Sequence, residues 1–461
     1  MSFNKLTNFV IAALVVLAIF LTGRLWLDDF SSRGLFYSPL KDMVKTKSQP
    51  YEDLEIIEPK RVILGYGNKK FSVLYSETSE KDIKPLFLDS LKEVFAQGSF
   101  LGTEALDFSS LLNSGAVIFE YPFNVSISEY IGAFKDVSAD IAKKFSTFDY
   151  VALIPSGLKN SKLEAVFVNM SSEEAFRFSV DKSRTTDKLY SAIEDAQVKN
   201  SGLLSYISTA QNNFSMFASD IFVPQWKSGE YSAMGLIKVN PYSLGGDIDK
   251  ESLLADISEF FGGSLNIYDS SENDSSEDVF ISSDDTRVIK YYSTGILEYY
   301  NYDSVSGRKD QTLSEAYTVC KMFMDLDNTL SSEVYLSSAE FSSDGLVFYF
   351  DYVIDNIPVA FSSSFKDEAG ISHAAEVIVK NGVVKNYRRY LPYYAYSGSS
   401  VEIGVDFIGV IDSVMSSSSD IYQGGFINEI EFSYLDTGEK DTSPGWIVLI
   451  DKKAYEVGAC R

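Results

Sequence analysis

Histidine is almost missing from this 461-residue chain: His373 is the one copy, beside two cysteines, Cys320 and Cys460, and three tryptophans. A single histidine excludes His-rich metal centres and leaves one candidate for an imidazole base. The cysteines are far apart and form no CxxC or zinc-ligand pattern. Two readings stay open for them: a mutual disulfide, or a buried apolar role for Cys320, which lies on an expected helix. Positive charge is scarce too, with 40 Lys and Arg against 65 Asp and Glu and a formal net charge of −25. Such a surface repels nucleic acid and anionic headgroups, so neither is an expected partner of the main region. No P-loop or GxGxxG occurs, and Gly65-Tyr66-Gly67 suits a turn.

What the chain does have is an uncharged run from Leu6 to Gly23. At about 1.5 Å per residue it spans roughly 27 Å, and it extends to Leu27 if Arg24 snorkels. The reading is a transmembrane helix over 8–27, anchored by Phe9, Leu14, Leu17, Phe20 and the interfacial Trp26. A secretory signal peptide is the competing reading. Its apolar core would be unusually long, and no clean small-x-small cleavage site follows. Lys5 before the span, with Asp28 and Asp29 after it, favours a cytoplasmic N-terminus and an external C-terminal bulk. Ala18 and Thr22 form a small-xxx-small pair, a candidate helix–helix contact.

The remainder is folded in character, 45% hydrophobic and 14% aromatic over the whole chain, and too long for one ordinary core. After a cytoplasmic stub (1–7), the span and a juxtamembrane linker (28–55), the pattern divides into units 56–182, 183–305 and 306–461. The expected class is α+β, with mostly antiparallel sheets and packed helices. Strands are expected at Arg61–Leu64, Phe71–Tyr75, Ala116–Phe119, Tyr150–Ile154 and Leu163–Val168, with a helix over Ile83–Phe95. Helices follow over Asp187–Ala218, Lys250–Phe261, Ser314–Asp325 and near Val401–Met415. Asn381-Gly382 marks a hairpin and Asp355-Asn356 a turn. The acidic stretch 269–278 lacks EF-hand spacing and reads as a solvated loop.

Apparent catalytic motifs do not hold together. Phe323-Met324-Asp325-Leu326-Asp327-Asn328-Thr329-Leu330 resembles the nucleophile motif of haloacid-dehalogenase-type phosphatases, but that chemistry needs a buried strand before it and later magnesium carboxylates. Here the preceding residues have helical spacing, so Asp325 and Asp327 read as an exposed acidic helix end. Ser179-Val180-Asp181-Lys182 matches SxxK without its partner motifs. His373, near Glu376, reads as a surface or turn histidine. No catalytic, metal or cofactor site is expected.

The arrangement resembles the YycH/YycI family, membrane-anchored regulators of the YycG (WalK) sensor histidine kinase of Gram-positive bacteria. The residues that carry the resemblance are the anchor Leu14–Trp26, Phe148-Asp149-Tyr150-Val151-Ala152-Leu153-Ile154 leading to Ala165–Val168, and the segment from Phe260 through Ile296-Leu297-Glu298-Tyr299. In the last unit they are Phe348-Tyr349-Phe350-Asp351-Tyr352, Ile357-Pro358-Val359 and Pro444-Gly445-Trp446. The resemblance implies a non-enzymatic extracytoplasmic regulator of such a kinase in cell-wall homeostasis, with a YycI-like companion; length favours YycH. The alternatives are a polysaccharide- or peptide-binding module, to which Tyr390, Tyr393, Tyr394 and Tyr396 would lend an aromatic row, and a cell-envelope hydrolase. The span predicts that protease added to protoplasts digests the large region while the protein stays in the membrane. Protection, or a mature N-terminus beyond Gly23, would contradict it.

Overall fold

Alternating buried and exposed residues build two antiparallel sheets, seen in a computed structural model that describes residues 54–460. Not described within it are 76–79, 135–136, 138–139, 157–160, 200–203, 213, 227–230, 245–246, 262–265, 269–278, 304–310, 328–332, 418–424 and 452. The anchor residues Phe9, Leu14, Leu17, Phe20 and Trp26, the pair Ala18 and Thr22, and the acidic loop lie outside the described residues. Among those described, no helix is long and apolar enough to cross a membrane.

The first sheet comprises β1 (Arg61–Tyr66), β2 (Phe71–Leu74), β3 (Ser99–Ala105), β4 (Gly115–Ser126), β5 (Thr147–Pro155), β6 (Leu163–Asn169), β7 (Glu174–Val180), β8 (Ser205–Ser208) and β9 (Phe222–Gln225). They lie in the order β3-β7-β6-β5-β4-β1-β2-β8-β9. Helices α1 (Lys84–Gln97), α2 (Phe108–Leu111), α3 (Ile127–Gly132) and α4 (Thr186–Lys199) accompany it. Phe87, Leu91 and Val94 form the buried stripe of α1, and Phe87 stacks on Phe119 of β4 with ring centroids 3.5 Å apart. Covered on both faces, β1, β5 and β6 read as continuous apolar runs.

The second sheet links fourteen strands: β10 (Ser232–Val239), β13 (Asn266–Tyr268), β14 (Val279–Ser283), β15 (Arg287–Tyr292), β16 (Ile296–Asn301), β17 (Val334–Ser342), β18 (Gly345–Ile354), β19 (Ile357–Phe361), β20 (Ala375–Lys380), β21 (Val383–Tyr390), β22 (Tyr393–Glu402), β23 (Ile427–Asp436), β24 (Asp441–Ile450) and β25 (Lys453–Gly458). Its pairings are antiparallel except for β19 with β23. A small ribbon, β11 (Ser243–Leu244) with β12 (Asp247–Ile248), stands apart. Helices α5 (Lys250–Phe261), α6 (Leu313–Met324), α7 (Ser363–Ala369) and α8 (Phe407–Ser417) complete the described elements. The Asn381-Gly382 and Asp355-Asn356 turns have positive φ at both central residues, as tight hairpins require. A capping box starts α6: Thr312 Oγ1 accepts from Glu315 N at 3.2 Å, and Glu315 Oε2 accepts from Thr312 N at 3.1 Å. Leu313, Ala316, Tyr317 and Cys320 of that helix are all buried.

The α+β class holds, with differences in detail. Of the helices expected over Asp187–Ala218, an α-helix covers Thr186–Lys199, while Ser205–Ser208 alternates as a buried-and-exposed strand. The helix placed near Val401 begins at Phe407; Val401 and Glu402 finish β22, and Asp406 Oδ1 accepts from Gly409 N at 3.0 Å. Positions 182 and 305 are not sheet boundaries, since β8 pairs with β2 and β16 with β21. Cys320 and Cys460 are free thiols, Cys320 buried.

Asp327 needs a larger correction. It is no exposed helix end: its carboxylate accepts from Arg389 Nη1 and from Tyr387 OH, each at 2.5 Å, and the Asp327 and Arg389 side chains are 0% and 1% exposed. Asp325 does end α6 and is exposed. Removing one partner of a buried ion pair strands the other charge. Asp327→Asn is therefore expected to cost about 3–5 kcal/mol, and Asp325→Asn less than about 0.5 kcal/mol, in urea unfolding. Equal effects would contradict the burial argument.

Candidate functional site

The two sheets meet along a seam, and polar side chains concentrate there. Strand β2 is paired with β1 on one side, but β8 reaches its other edge only at Phe71 and Tyr206. The carbonyl of Val73 and the N–H of Tyr75 point out from that edge, as residues two apart on a strand do. Asn356, in the turn between β18 and β19, satisfies both. Its Oδ1 accepts from Tyr75 N at 2.7 Å and its Nδ2 donates to Val73 O at 2.6 Å. A carboxamide thus replaces a strand's peptide group. Asn356 has φ 64°, a left-handed conformation that Asn tolerates better than most residues.

Charges line the same junction. Arg61 Nε lies 2.6 Å from Glu120 Oε2, with both side chains largely buried, and Arg61 Nη1 donates to Tyr75 OH at 3.2 Å. Lys60 Nζ crosses to Glu429 Oε1 on β23 at 3.0 Å. The Lys60 charge holds the Glu429 carboxyl below its usual range. Glu431, two residues along, is pushed up to about 7, by burial first and then by the charge of Glu429. Nearby, Glu58 receives Lys84 of α1 at 3.3 Å and Lys321 of α6 at 3.5 Å. Burial works against its ionisation, but the two lysines hold its carboxyl low.

Apolar side chains cross the seam in both directions. Tyr335 and Val353 of the second sheet pack into the first core, where Tyr335 meets Tyr75 edge-on at 5.3 Å. Ile221 and Val223 from the β9 segment pack into the second core beside Trp446 and Phe432. Beside Asn356 the seam opens into a cavity of about 420 Å³, walled by Val73, Tyr206, Tyr231, Ala233, Ile357 and Tyr434, with Ser232, Met234 and Asp355 exposed at its rim.

The expected decoys separate. Ser179 is buried in β7, whereas Lys182 is exposed in the turn beyond it. His373 sits in the bend before β20, as a turn histidine would, and has partners there: its Nδ1 lies 3.1 Å from both carboxylate oxygens of Asp351, and its ring sits on Tyr349 at 4.6 Å. Burial opposes ionisation of Asp351, but His373 and local hydrogen bonds hold its carboxyl low. Tyr390 and Tyr394 are core residues, so the four tyrosines present no continuous exposed row; Tyr396 is half-exposed. Among the described residues, no three His, Cys, Asp or Glu side chains gather in a group that could hold a metal ion. Sequence reasoning missed the seam residues because their partners are remote: Tyr75 and Asn356 are 281 positions apart.

No family model matches the chain, and no curated protein matches it in sequence. The described architecture, two linked antiparallel sheets with packed helices, defines a multi-layer α+β fold. A solved protein with a similar arrangement is YycH from Bacillus subtilis, whose crystal structure aligns at TM-score 0.51 and 14% identity over 89% of this chain and 97% of that one. The fold is YycH-like.

Two outcomes follow from the seam. Asn356→Ala leaves two backbone groups of β2 unpaired and is expected to cost roughly 1–3 kcal/mol in urea unfolding, whereas Asn356→Gly, which keeps the turn conformation, also loses the clip and rescues little. Glu431 keeps its proton longer in the folded state, so its burial costs stability that grows as pH rises from 4.5 to about 7. Glu429 acts in the opposite sense, contributing above its ordinary range and losing that contribution as pH falls. Glu431→Gln should therefore gain on the order of 1–2 kcal/mol over the parent at about pH 8 and little at about pH 4. A pH-independent difference would contradict this.

Proposed function

We propose that this chain is a membrane-anchored, extracytoplasmic regulator of a YycG/WalK-type sensor histidine kinase that works by contact and carries out no catalysis. The observation that carries the reading is the YycH-like backbone, which extends over 89% of the chain. Two further features support it. The span at 8–27 supplies the anchor such a regulator needs, and two polar contacts at the seam, Lys60 with Glu429 and Tyr75 with Asn356, join the sheets. In this reading residues 1–7 are cytoplasmic, the bulk is external, and a YycI-like companion shares the complex.

The anchor also takes part in recognition. In lipid, helices associate by close packing at small residues, and Ala18 with Thr22 provides such a face. Mild crosslinking followed by purification from membranes should recover the kinase with the parent chain. Replacing Ala18 and Thr22 with Leu should reduce that recovery without changing insertion or abundance. Failure to recover the kinase with the parent chain overturns the regulator reading. Full regulation by an unrelated anchor fused to residues after Asp28 reduces the helix to a tether.

A further inference from the structure

The seam cavity combines one carboxylate with several aromatic walls. Asp355 stands at its rim in the β18–β19 turn, with φ 50°. Tyr231, Tyr206 and Tyr434 line the interior, and Tyr434 OH is already spent on a bond to Met234 O at 2.9 Å. The phenol of Tyr231 is pushed up to about 12, by burial first and then by the charge of Asp355. The same charge raises Tyr434, after burial and Tyr231, and Tyr396, whose OH also donates to it. Asp355 thus sits among tyrosines, and no lysine or arginine lines the cavity among the described residues.

We propose that this cup holds a cationic side chain, arginine or lysine, presented by a protein partner; the partner's being a protein rests on the contact-acting regulator proposed above. Tyrosine faces attract a cation through their quadrupoles, and the attraction grows as water is excluded. The carboxylate supplies the opposite charge and two acceptor oxygens, which a guanidinium matches in its planar fork. A volume of about 420 Å³ admits one long side chain with its flanking backbone and is too small for a folded element. The formal charge of −25 draws a basic segment towards the surface before it docks. A neutral sugar would meet the same rings but would leave Asp355 without a countercharge.

Saturation-transfer NMR on the full-length protein in nanodiscs tests the site, with the blocked peptide Gly-Gly-Arg-Gly-Gly, its citrulline counterpart and N-acetylglucosamine as probes. The arginine peptide should receive saturation through its side-chain methylenes, and the citrulline peptide should bind roughly tenfold more weakly. Asp355→Asn, which keeps a residue tolerant of left-handed backbone, should remove that preference. Tyr231→Leu should lose binding and Tyr231→Phe retain it. Equal binding of arginine and citrulline peptides, tighter binding of the sugar, or an unchanged preference in Asp355→Asn would overturn the proposal. Kinase recovery is measured in parallel on the same preparations. Peptide binding without kinase recovery removes the regulator reading and supports the cation site. Kinase recovery without an arginine preference removes the cation site alone.

Discussion

The amide of Asn356, on the stretch of the β2 edge that β8 leaves unpaired, is the contact on which the relation between the two sheets turns. A four-residue strand met on its second edge only at Phe71 would expose the backbone beyond it along the seam. The second sheet supplies the missing peptide group from a two-residue turn, whose left-handed geometry aims the side chain across. Around that clip the cores interleave, with Tyr335 and Val353 reaching one way and Ile221 and Val223 the other. Burying such side chains is worth about 1.5–3 kcal/mol each, more than any one exposed ion pair there.

The charges at the junction serve alignment more than strength. At Arg61 the attraction of Glu120 and neighbouring groups outweighs burial, whereas at Glu120 burial still pushes the carboxyl up despite the charges of Arg61 and Lys60. Glu431 is pushed up too, by burial and then by the charge of Glu429, to which Lys60 is paired. A junction with one carboxylate titrating near neutrality has its electrostatic balance set by pH, whereas the amide clip is indifferent to it.

Much of the fold was legible because its signals are local. Asn381-Gly382 specified a hairpin, the spacing of Leu313 through Met324 specified α6, and the limits of α5 were read as Lys250–Phe261. What failed to show was non-local or unburied. Strand β3 is exposed along nearly its whole length, so Ser99–Ala105 carries no hydrophobic alternation to find. Asp327 resembled a solvated helix end because the residue that neutralises it, Arg389, lies on a strand far along the chain. The seam is invisible in sequence for the same reason: Lys60 with Glu429, and Tyr75 with Asn356, are pairs that only the completed fold creates. The tyrosines at 390 and 394 looked available for ligand and are spent in the core, whereas Tyr231 and Tyr434, which drew no notice, wall the cavity.

Hydrogen–deuterium exchange on the full-length chain in nanodiscs, alone and with a YycG-type kinase, tests most directly whether the seam is where a partner is met. Added protection is expected at residues 72–75, 231–235 and 355–357, the strands and turn that surround the cavity. Kinase binding with protection confined to other surfaces would contradict a contact at the seam.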